Sequence, residues 1–164
     1  MDTTQITCAL KNVGVKSCLG VFPSDLLPSF IPQHDCTVIV NADPHTKGGS
    51  HWLAIHFEPR TSKAFYFDSF GQKPYISNIQ DLIRNNSTVQ EYNTVRLQGL
   101  TTTLCGQYCC LFPYTWTGVT RRSISSPPLT QPSQTTRSGA YSNLNSVHCT
   151  EFVFVVGRAA PPRI

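Results

Sequence analysis

Apolar residues fall along the chain in short blocks whose spacing differs from one block to the next. "CTVIVN" (Cys36 to Asn41), "HWLAIHF" (His51 to Phe57) and "KAFYFD" (Lys63 to Asp68) are compact runs rich in β-branched and aromatic residues, which predicts strands. Ile76, Ile79 and Ile83 recur at helical spacing, and Ser77 with Gln80 three residues on predicts a capping box for a helix over about 78–85. A short amphipathic helix is expected over 5–12, then a Gly/Pro-punctuated loop through Pro32. Further on come a strand at "YNTVRL" (Tyr92 to Leu97) and an apolar helix at "CGQYCCLF", which Pro113 should stop after eight residues. The order helix, strands, helix, strand, helix predicts an α+β fold, a mixed central sheet flanked by helices.

The second and third strands form a hairpin. With Glu58 to Thr61 as its loop, Phe57 faces Ser62, Ile55 faces Ala64, Leu53 faces Tyr66 and His51 faces Asp68. Directly opposed residues have Cβ atoms about 4.5–5.5 Å apart, so imidazole and carboxylate would hydrogen-bond. A shift by one residue would pair His51 with Ser69 instead. The other face, with Trp52, Ala54, Phe65 and Phe67, is equally apolar, so the sheet should be covered on both sides.

Composition divides the chain in two. Its 164 residues suit one domain, with 40% hydrophobic and only 13% charged residues. Residues 1–112 carry as many acidic as basic side chains, whereas 113–164 hold five Arg, no Lys and only Glu151, so the net +4 lies in the last third. From Ser123 to Ser138 eleven of sixteen residues are Ser, Thr or Pro, too little apolar surface to offset chain entropy. A core at 1–112 is therefore expected, then a divergent basic tail at 113–164, disordered over about 120–147, with one candidate strand from Phe152 to Val156. No run of 18 apolar residues occurs and the start lacks a signal-peptide pattern, so an intracellular protein without a membrane span is expected. Seven irregularly spaced cysteines point to reduced thiols rather than a disulfide framework.

The candidate chemistry centres on "TTLCGQYCC" (Thr102 to Cys110). A cysteine nucleophile needs a base, a group that orients the base, and donors for an oxyanion. Cys105 opens a predicted helix, where free N–H groups and the helix dipole favour a thiolate. Gly106 would let the backbone lie close to a substrate carbonyl. Gln98 offers a neutral amide N–H across a turn, and His51 with Asp68 would supply base and orienter. Cys109 and Cys110 read as core thiols on the same helix, and His34, His45, His56 and His148 as structural.

Together "GGSHWLAIHFEPR", "YFDSFG" and "QGLTTTLCGQYCC" resemble the adenovirus maturation protease (adenain) family, with the related proteases of Maverick/Polinton-type elements. The likeness covers about residues 6–112 and keeps the order His, acid, Gln, Cys. It implies a papain-like/adenain-like cysteine endopeptidase with the triad His51, Asp68 and Cys105. Gln98 and the Cys105 N–H would form the oxyanion hole, and Gly48, Gly49, Trp52 and Gly106 would contact substrate. Asp68 stands where the family has Glu, which also brings ubiquitin-like-protein deconjugating proteases into view.

The resemblance further implies viral or transposon structural precursors cleaved at glycine-containing sites, in a virion or host nucleus. No cofactor is required by the sequence itself, while DNA and an activating peptide are implied cofactors of the family. "NNSTVQEYNTV" has no cysteine for disulfide-linked activation. Two other classes remain open: an inactive protease-fold protein with a structural or nucleic-acid-associated role, and a zinc module using Cys105, Cys109 or Cys110 with His148 and Cys149. The adjacent His-Cys pair suits tetrahedral zinc poorly.

Overall fold

The computed structural model describes residues 1–114, the last only in its backbone. Helix α1 (Thr3–Asn12) is followed by β1 (Cys18–Pro23), β2 (Cys36–Asn41), β3 (Trp52–Glu58), β4 (Lys63–Asp68), α2 (Ser77–Asn86), β5 (Val89–Tyr92) and α3 (Cys105–Tyr114). The strands form one sheet in chain order; β2, β3 and β4 pair antiparallel, and the outer strands β1 and β5 pair parallel to their neighbours. The α+β architecture with a mixed, helix-flanked sheet is thus observed.

Both sheet faces are buried. One presents Val38, Val40, Leu53, Ile55, Phe57 and Tyr66 to Ile79, Leu82 and Ile83 of α2. The other presents Ile39, Trp52, Ala54, Phe65 and Phe67 to Ile6 and Leu10 of α1 and to the inner face of α3. Strand alternation sends successive side chains to opposite faces, so near-continuous apolar runs are what a doubly covered sheet requires.

Several local expectations are corrected. β1 lies inside the stretch expected to be loop: Gly20 and Pro23 disguise it, and both are tolerated because β1 is an edge strand with a register irregularity near Gly20. The hairpin register sits two residues from the expected one, with Leu53 opposite Asp68 and Glu58 opposite Lys63. Pro59 starts a 3₁₀ turn (Pro59–Thr61) closed by Ser62 at φ 51°, which moves the loop one residue along. A slip of two preserves the faces.

The strand expected at Tyr92 to Leu97 runs instead from Val89 to Tyr92. Beyond it the Asn93 carboxamide replaces the ladder, accepting from the Asp68 N–H at 2.9 Å and donating to the Asp68 carbonyl at 2.6 Å. No Ser77–Gln80 box forms: α2 is capped by Ile76 without a side-chain bond, and the Gln80 amide donates to the Pro74 carbonyl. The box occurs on α1, which starts earlier than expected because Asp2 and Gln5 cap each other's backbone N–H groups. Pro113 lies within α3 and does not stop it, so the eight-residue limit is wrong. From residue 115 on, the tail, including the segments expected to be disordered and the candidate strand at Phe152 to Val156, lies outside the described residues.

Candidate active site

The candidate residues come from four places at one end of the sheet. His51 directly precedes β3, and its carbonyl is held by the Ala42 N–H at 2.8 Å. Asp68 ends β4 and is fully buried. Cys105 opens α3, where the first N–H groups of the helix lack intrahelical partners. Gln98 lies on the loop between β5 and α3.

His51 Nε2 meets Asp68 Oδ1 at 2.8 Å. The two-residue slip makes this a diagonal contact rather than the direct cross-strand pair expected. Asp68 Oδ1 also accepts the Phe70 N–H at 2.8 Å, so the carboxylate is fixed by its own turn. The Phe70 ring lies 5.0 Å from the imidazole, centroid to centroid, and covers one side of it. The other group that acts on the imidazole is the Cys105 thiol, which raises His51 as Asp68 does. With Nε2 committed to Asp68, Nδ1 is the nitrogen left for sulfur.

The electrostatics follow from these contacts. Burial alone would pull the imidazole down, but the hydrogen bonds and negative charges of Asp68 and Cys105 outweigh it and raise His51 to about 9. Burial alone would push the Cys105 thiol up; the His51 bond and charge and the Trp52 and Gly106 backbone bonds outweigh that and lower it. Burial pushes Cys109 and Cys110 up instead, Cys110 to about 11. One thiol of α3 therefore favours the thiolate and its neighbours do not.

Gln98 is 3% exposed, with its carboxamide held at both ends: Ser69 Oγ donates to Oε1 at 2.7 Å and Nε2 donates to the Thr102 carbonyl at 2.5 Å. Tyr108 ties α3 to this loop by donating its hydroxyl to the Leu97 carbonyl. Gly48, Gly49 and Trp52 line a cavity of about 400 Å³, shared with Met1, Lys47 and His45, whose lining includes none of His51, Asp68, Gln98 and Cys105. Gly49 has φ +81°, and a Cβ there would collide with the Asn41 side chain. Gly106 does not line that cavity; a Cβ on it would sit 3.1 Å from Met1 Cβ and 3.4 Å from Trp52 Cδ1, so its smallness serves the packing of the helix start. The Trp52 indole is 5% exposed, and its N–H donates to the Met1 carbonyl.

Sequence reading missed Ser69, Phe70, Asn93 and Thr102. Ser69 and Phe70 sit inside the quoted "YFDSFG", but their roles depend on the turn after β4, which no periodicity reveals. Of the histidines read as structural, His56 is buried against the Thr37 hydroxyl and His45 pairs with Asp25 on the surface. Among the described residues no cluster of three His, Cys, Asp or Glu side chains could hold a metal ion; His148 and Cys149 lie outside them.

A carboxylate hydrogen-bonded to an imidazole, with a thiol that influences that imidazole at a helix N-terminus, is an arrangement suited to cysteine-protease chemistry. The family model of the adenovirus endoprotease matches residues 18–153, more than half of the chain, and the chain belongs to that family. It is 32% identical over 110 residues to the protease of Snake adenovirus serotype 1, covering 58% of this chain and 54% of that one. Against the protease of Ovine adenovirus D serotype 7 (isolate OAV287) it is 33% identical, with the same coverage. The chain spans about half the length of these curated relatives. A solved structure, that of the Se-Met ASFV protease, matches with 26% identity and a TM-score of 0.37, over 52% of this chain and 35% of that one.

Proposed function

We propose that the chain is a cysteine endopeptidase in which His51, Asp68 and Cys105 act as the triad. The observation that carries this reading is the 2.8 Å bond from Asp68 Oδ1 to His51 Nε2, together with the mutual influence of His51 and Cys105, whose thiol is the one on α3 held below its ordinary range. His51 takes the Cys105 proton, and the thiolate attacks a peptide carbonyl. One N–H of Gln98 and the Cys105 N–H receive the oxyanion. The imidazolium then protonates the leaving amine, and water, activated by the same imidazole, releases the acyl-enzyme.

An extended substrate pairs its backbone beside Gly48 and Gly49 and passes Trp52. Gly106 meets the substrate at the nucleophile and also keeps the helix start close to Trp52. Because the relatives are adenovirus proteases, the substrates we propose are viral structural precursors, cut at glycine-containing sites in the virion or host nucleus. DNA would act through the arginines of the tail, and any peptide activator would bind without a disulfide.

Alkylation with iodoacetamide at pH 7, followed by peptide mapping, tests the thiolate. Cys105 should react at least about tenfold faster than Cys109 and Cys110, and His51→Ala should abolish the advantage. Equal rates at the three sites would refute the reading.

A further inference from the structure

We propose that Ser69 is a positioning residue for the oxyanion donor, its hydroxyl fixing which end of the Gln98 carboxamide faces the reacting carbonyl. This rests on the protease reading above. A carboxamide presents an oxygen and an NH₂ group of nearly the same shape, and only the NH₂ end can stabilise a developing oxyanion. A flipped amide would aim Oε1 at the negative charge and repel it.

Two bonds of opposite polarity prevent the flip here. Ser69 Oγ donates to Oε1 at 2.7 Å, and Nε2 spends one hydrogen on the Thr102 carbonyl at 2.5 Å, which leaves its second hydrogen for substrate. The Thr102 carbonyl can only accept, so a flip would set two oxygens against each other. Ser69 is fully buried and Gln98 nearly so, so water does not compete for either group.

The backbone of Ser69 adds to this hold. Its carbonyl accepts both the Leu97 N–H at 2.9 Å and the Gln98 N–H at 3.0 Å. Ser69 therefore anchors Gln98 by main chain and side chain together, and it is covalently next to Asp68. The acid that orients the base and the amide that would receive the oxyanion are set by one turn.

The test uses the full chain carrying Ser69→Ala, Gln98→Ala or both. Two probes are compared: a fluorogenic peptide amide with glycine at the scissile position, and iodoacetamide, whose attack at saturated carbon builds no oxyanion. Ser69→Ala should lower kcat by about 10- to 100-fold with KM within about twofold, while the rate and pH profile of Cys105 alkylation stay unchanged. In the Gln98→Ala background, Ser69→Ala should cause no further loss.

Equal losses with both probes would assign Ser69 a general structural role and overturn the proposal. So would additive losses in the double variant, or full activity in Ser69→Ala. Cleavage that needs Cys105 but is indifferent to both substitutions would overturn the positioning role and leave the protease reading standing. No cleavage by the unsubstituted chain would overturn both.

Discussion

The charge state of His51 links its surroundings to a pH dependence. Its value near 9 exists because Asp68 and Cys105 outweigh burial. In the proposed mechanism kcat/KM should therefore rise with pH through the lowered Cys105 range and fall on an alkaline limb near 9, where the imidazolium needed to protonate the leaving amine would be lost. Asp68→Asn removes a negative charge and leaves burial less opposed, so the alkaline limb should move to lower pH and the rate should drop about 10²- to 10⁴-fold. A pH–rate profile of the variant checks both; an unmoved limb would mean that Asp68 does not set the His51 charge. The residues of this network were legible in sequence where a chemically distinctive type stands in a characteristic order, as with His51, Gln98 and Cys105. Phe70 and Asn93 were not, because an aromatic and an amide next to a strand end look like ordinary core and turn residues.

Among the elements, the central strands were readable because burial on both faces makes them continuous apolar runs. The outer strands were not: β5 is exposed along its whole length, and β1 contains Gly20 and Pro23. What fixes the chain after β5 is a side chain rather than a ladder. Asn93→Ala would leave the buried Asp68 N–H and carbonyl short of a partner and should cost about 1–3 kcal/mol, readable as a lower denaturation midpoint and checked against Asn93→Gln. Gly71 belongs to the same junction, with φ +72° and room for no Cβ, since one would sit 2.8 Å from the Val95 carbonyl carbon. Gly71→Ala should destabilise by more than about 1 kcal/mol, against the usual small gain from replacing glycine where the backbone permits it. A neutral or stabilising result would mean that this turn rearranges freely. The helix ends teach a related lesson. Ser77 and Gln80 satisfied the sequence rule for a capping box, yet Gln80 found the Pro74 carbonyl instead, whereas Asp2 and Gln5, not noticed in the sequence, formed the box.

Across the whole molecule the two sheet faces do different work. The α2 face holds Ile55 and Tyr66 over a core without site residues from α3, whereas the other face carries α3, whose first residue is Cys105. Phe112 docks that helix: its ring stacks on Phe67 at 4.9 Å and on Phe65 at 5.8 Å, and it is 3% exposed. Ile55→Ala should cost about 2–5 kcal/mol and Phe112→Ala about 3–5 kcal/mol, so chemical denaturation would show both as losses of similar size. Their effect on the thiol should differ. Under native conditions Ile55→Ala leaves α3 seated and the Cys105 alkylation rate unchanged, while Phe112→Ala loosens the helix against β3 and β4 and moves the thiol from His51. Its alkylation rate should then fall towards that of an ordinary cysteine. Equal slowing in the two variants would show that the sheet transmits damage from either face, and that the thiol depends on the stability of the whole fold rather than on the docking of one helix.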